Sequence, residues 1–222
     1  MAENSDLDLR TQLELRIEQM KKNSGQITTQ ARYSSMIGRG GFLTHKDLND
    51  VFTDGNLRNQ LMHDFSNIDG DEISSLAKSI QTRGPKLYAI LLWIRESGSI
   101  KVALENGIDD DKVFTVRQDD EEIRLSYCTE KRIRGYPGFE HIAHEFYKNQ
   151  WIIPPKLPTK TNQEFPAEYF IFPFEVAGER IAKGGNGEIY QVKIAPGFLK
   201  TSNGQVRLRY PGGRNLLFAI GS

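Results

Sequence analysis

The chain has a single cysteine, Cys128, so no disulfide can form within it and no thiolate cluster can hold a metal. Such usage fits a reducing compartment, cytoplasm or nucleus. Cys128 stands beside Tyr127 among charged residues, with no histidine or helix start to activate it. A structural or surface thiol is expected there rather than a redox nucleophile. Excess charge of either sign is missing too, with 29 Lys+Arg against 29 Asp+Glu. A protein without a basic field has no electrostatic pull toward nucleic acid or an anionic membrane, and neither is expected as a partner. The longest apolar run, Leu87 to Ile94, is too short to span a bilayer. The start, Met1-Ala2-Glu3-Asn4-Ser5-Asp6, has neither the basic opening nor the apolar stretch of a secretory signal, so the protein is not expected to be secreted. Internal repeats and low-complexity tracts are absent. What is present is 222 residues, 38% of them hydrophobic, enough to bury a core in one or two domains.

Helical patterning dominates the first half. Leu7, Leu9, Leu13, Ile17 and Met20 fall mostly at helical spacing between Asp6, a capping residue, and Gly25, which predicts an amphipathic helix over about 6–22. Its apolar stripe is short, and docking within the chain is the simpler use of it. Ser24 to Gly41 reads as a polar loop, with Arg39-Gly40-Gly41 a flexible turn. From Thr44 the expected helices are Lys46–Phe52 capped by Thr44, Leu57–Phe65 capped by Asp54, and Ile73–Gln81 capped by Asp69 or Asp71. Gly84-Pro85 then breaks the chain. Lys86 to Arg95 is apolar nearly all round, as expected of the central helix of a small bundle. Ser99–Asn106 reads as one more short helix ended by Gly107, and Asp109-Asp110-Asp111 as a solvated acidic turn.

After Val113 the texture changes. Val113–Val116 and Ile123–Tyr127 alternate like strands around Gln118–Glu122, predicting a hairpin. Phe139 to Gln150 returns to helix, with Ile142, Phe146 and Trp151 on one side. Pro154-Pro155-Lys156-Leu157-Pro158 and the polar run to Glu164 read as a linker.

The segment Ile181-Ala182-Lys183-Gly184-Gly185-Asn186-Gly187-Glu188-Ile189-Tyr190 reads as strand, glycine-rich turn, strand. Residues without Cβ let a backbone turn approach phosphates and aim amide N–H groups at them. Gly184-x-x-Gly187-x-Ile189-Tyr190 resembles the later part of the glycine-rich loop of protein kinases. Leu217-Phe218-Ala219-Ile220 resembles the strand that carries the kinase phosphate-binding lysine. The long insertion between them, together with the pattern of Leu87–Ile94, Gly107–Asp110 and Phe146–Trp151, resembles a loosely defined group of fungal kinase-like proteins. By that resemblance Ile181 and Ile189 sandwich an adenine, Ala219 lines its pocket, and Gly184, Gly185 and Gly187 cover phosphates. Three positions depart from the pattern: Ala182 for the first glycine, Asn186 for a common aromatic, and Gly221 for the lysine. A glycine cannot supply the ammonium that pairs with phosphates and a helix glutamate. ATP is therefore expected to bind only in a longer form, and the glycine segment to be a vestigial nucleotide site, as in a pseudokinase.

Other candidate constellations are weaker. Asn67–Ile73 hints at a calcium loop, but setting Gly70 at the invariant glycine puts Phe65 and Leu76 at ligand positions, so a helix cap is the better reading. His141, His144 and Glu145 share a helix without zinc-protease spacing or an evident further ligand, which suits a solvated face. Lys131–Tyr136 could contact phosphate or RNA, but with the acidic run Asp119–Glu122 close by in sequence it reads better as balanced surface.

The sequence thus predicts an α+β protein. A helical leader covers 1–112, a mixed hairpin, helix and linker covers 113–164, and a small antiparallel sheet at 165–222 resembles the first strands of a kinase N-lobe. The expected function is non-catalytic: the leader is an interaction or regulatory module with a protein partner, without metal or bound cofactor. The alternative is the N-terminal part of a longer ATP-dependent Ser/Thr kinase.

Overall fold

The computed structural model describes residues 8–25, 41–114, 117–119, 122–124, 128–155, 163–164, 171, 174–184, 187–195, 198, 206–209 and 215–219, with backbone alone for 23–25 and for the strands. Packing divides the chain into two units. One comprises Met1–Arg16, His45–Val116 and Ser126–Gln150; the other comprises Ile17–Thr44, Arg117–Leu125 and Trp151–Ser222.

The first unit is built by caps and apolar stripes. Helix α1 (Leu9–Gly25) starts at Asp8, whose Oδ1 accepts from the Thr11 N–H at 2.9 Å. That bond, more than any other cause, holds the Asp8 carboxyl below its ordinary range. The cap is therefore Asp8; the expected Asp6 lies outside the described residues. Leu9 and Leu13 of α1 are buried. Helices α2 (His45–Val51) and α3 (Asp54–Asp64) follow. Thr53, not Asp54, caps α3, accepting from Asn56 N, while Asp54 sits in the first turn and pairs with Arg58 at 2.8 Å. Helix α4 (Gly70–Arg83) is capped by Asp69, which accepts from the N–H groups of Asp71 and Glu72.

Helix α5 (Pro85–Trp93) has Leu87, Tyr88, Ala89, Ile90, Leu91 and Leu92 all buried. It packs against α2, α4, α6 (Ser99–Glu105), α7 (Asp110–Phe114) and α9 (Ala143–Asn149). This is the central helix that its all-round apolar sequence demands. Burying each of its Leu and Ile side chains contributes roughly 1.5–3 kcal/mol. Phe52 lies against the Tyr88 ring with centroids 5.6 Å apart, and Trp93 donates Nε1–H to Asn149 Oδ1 at 3.1 Å. Gly84, at the N-cap of α5, has no side chain to cap with. Asp110 does it instead, accepting from Lys86 N at 3.0 Å and Leu87 N at 2.8 Å. The expected solvated turn at 109–111 is corrected at its centre, where this half-buried carboxyl is pushed up to about 6, chiefly by its withdrawal from water. Helix α8 (Glu130–Arg134), capped by Thr129, completes the unit, and Tyr136, Phe139 and Phe146 stack edge to face beside it.

In the second unit Ile17, Phe42, Leu43, Trp151, Ile152, Ile153, Ala195 and Phe198 are buried. Phe42 and Phe198 meet edge to face at 5.5 Å, and Leu43 N donates to Ile152 O at 2.7 Å. Gly41 is no mere flexible turn. A Cβ there would stand 2.0 Å from the Ile17 carbonyl oxygen.

The expected α+β class is overturned. The fold whose packing is described is helical, and among the described residues no strand side chain joins a core and no sheet packs beside the helices. Backbone pairing alone is given for β1 (Arg117–Asp119) with β2 (Glu122–Arg124) and for β3 (Gln163–Glu164), β4 (Phe174–Gly184), β5 (Gly187–Ile194), β6 (Val206–Arg209) and β7 (Asn215–Ala219). That pairing is mixed rather than the antiparallel one expected: β4 with β5 and β6 with β7 run antiparallel, while β3 with β6 and β5 with β7 run parallel. Val113 and Phe114, expected in a strand, close α7, and Val113 is buried in the helical core. Among the described residues no helix is long and apolar enough to cross a membrane.

Candidate functional site

A concavity of the first unit has a volume of about 640 Å³ and is open to solvent. Three elements build it. The first turn of α1 supplies Asp8, Leu9, Arg10 and Gln12; α3 supplies Asn56, Asn59, Gln60 and His63; the end of α5 and the turn after it supply Leu92, Arg95 and Ser97. Gln60 holds the walls in place. Its Oε1 accepts from Leu9 N at 3.3 Å and its Nε2 donates to Asp64 Oδ1 at 2.9 Å, so α1 is clamped to α3 by one side chain. Asn56 donates to Val51 O at 2.9 Å. Leu9 and Leu92, 2% and 3% exposed, make an apolar floor.

Behind this floor Tyr88 is fully buried. Burial first, and the Asp64 carboxylate second, raise the pKa of its hydroxyl, so it stays a neutral phenol.

Arg95 is the unusual member of the groove. Its φ is 65°, the one left-handed non-glycine among the described residues. The hydrogen bonds explain the geometry: Glu96 N donates to Leu91 O at 2.8 Å and Arg95 N to Leu92 O at 3.1 Å. These are the paired bonds of a Schellman helix stop, in which the residue after the C-cap turns left-handed and is usually glycine. A glycine is available three residues later, but Gly98 has φ −60° and opens α6 instead.

A second concavity, about 290 Å³, lies between α4 and α6 and is lined by Glu72, Ser75, Leu76, Ser79, Arg83, Lys101, Leu104 and Glu105. Its charges are already matched, with Lys101 2.6 Å from Glu72 and Arg83 3.6 Å from Asp109. The partner Glu72 holds the Lys101 ammonium above its ordinary range.

The sequence candidates are scattered. His141 faces Glu96 at 3.5 Å, His144 faces Glu130 at 2.9 Å and Glu145 faces Lys148 at 3.6 Å, so the three do not converge. Among the described residues no group of three or more His, Cys, Asp or Glu is placed to hold a metal. Glu130 is held below its ordinary range by His144 first and Arg134 next. Cys128 is buried, with its Sγ 3.8 Å from the Tyr136 hydroxyl. Burial pushes this thiol up and leaves it unreactive. Arg132 donates Nε–H to the same hydroxyl at 2.9 Å and Nη2–H to Lys112 O at 2.6 Å, so this part of the basic cluster fastens structure. Of the glycine segment, Ile181 and Gly184 lie in β4, Gly187 and Ile189 in β5, and Ala219 ends β7, while Gly185 lies outside the described residues. Gly184 is the backbone partner of Gly187. Sequence reasoning missed the groove and Arg95, because no spacing rule connects residues 9, 59 and 95.

No protein-family model matches the chain, and neither the search of curated proteins nor that of solved structures found a match.

Proposed function

We propose that this chain acts by binding, its helical unit serving as an interaction or regulatory module and its glycine-rich segment being the vestige of a kinase nucleotide loop. The observation that carries the reading is the open groove between α1, α3 and the end of α5. It is mounted on a buried central helix, and its rim holds side-chain donors, Arg95 and Asn59, that have no hydrogen bond or ion pair among the described residues. Recognition sites of this kind put a few polar groups around an apolar floor on a rigid frame. A photoreactive amino acid at Asn59 or Ser97 is expected to crosslink a protein partner in cells, while the same group at exposed Lys78 on α4 does not. Failure at both groove positions, or equal capture from Lys78, sinks the reading.

The second reading, a piece of a longer Ser/Thr kinase, is favoured by the resemblance of Gly184–Tyr190 and Leu217–Ile220 to kinase motifs. A coding sequence that runs on past Ile220 with a lysine and a later H-R-D motif decides for it.

A further inference from the structure

We draw no further inference here: the strongest candidate, the open groove between α1, α3 and the end of α5, belongs to the site already described, and with the exposed, ionised Asp8 carboxylate in its own lining offsetting the Arg95 guanidinium, nothing in the structure shows what covers it.

Discussion

Single residues here do work that their neighbours in sequence do not announce. Holding a non-glycine residue left-handed costs on the order of 1–3 kcal/mol, and glycine returns part of that gain as chain entropy. Arg95→Gly should therefore stabilise the fold by about 1 kcal/mol in urea unfolding, and a loss of stability would remove the strain argument. Asp110 carries a second prediction. Its carboxyl is raised to about 6, so the folded state binds its proton more tightly than the unfolded chain does. Its contribution is then fully present below about pH 4, falls as pH rises toward 6 and is flat above, with a total on the order of 3 kcal/mol. Urea midpoints across that window should show the fall in the wild type and lack it in Asp110→Asn. Asp110→Ala, which leaves two helix-start N–H groups uncapped, should cost about 1–3 kcal/mol.

At the scale of elements, caps separate what a motif suggests from what a helix uses. Asp69 accepts two N–H bonds at the start of α4, and Asp69→Ala should cost about 1 kcal/mol. Asp54 looks like a cap in sequence, yet Thr53 holds that place, and the exposed Asp54–Arg58 pair contributes little. Asp54→Ala should stay within about 0.5 kcal/mol of wild type, and thermal melts of the two variants side by side decide it. The short connection before α2 behaves differently from its sequence as well. A Cβ at Gly41 meets the Ile17 carbonyl at 2.0 Å, and backbone cannot swing aside as a flexible side chain can. Gly41→Ala is expected to destabilise by about 1–3 kcal/mol. Wild-type stability in that variant would mean the contact is dispensable.

For the whole molecule, the balance of charge and the single buried thiol leave recognition to local features rather than to a global field. In the proposed function the glycine segment carries no catalysis, since Gly221 stands where the resemblance calls for a lysine. The purified chain is thus expected to transfer no phosphate from Mg-ATP to itself or to a general substrate, and robust radiolabel incorporation would overturn this.

Caps, breakers and periodicity were legible without any structure. Asp69, Gly84-Pro85 and the all-apolar run of α5 announce a bundle around a buried helix, because these are interactions between residues a few positions apart. The strand-like alternation at Val113–Val116 misled, since two-residue alternation over so short a stretch also fits one turn of helix. Placement of Asp110 as a remote cap, of Gly41 against a carbonyl and of Arg95 on the rim of a groove depended on chain segments tens of residues apart meeting in space. Local sequence carries no record of those meetings. It determined where helices start and stop and which face of each is apolar; the tertiary packing alone decided which polar groups were consumed in holding the fold and which were left to face a partner.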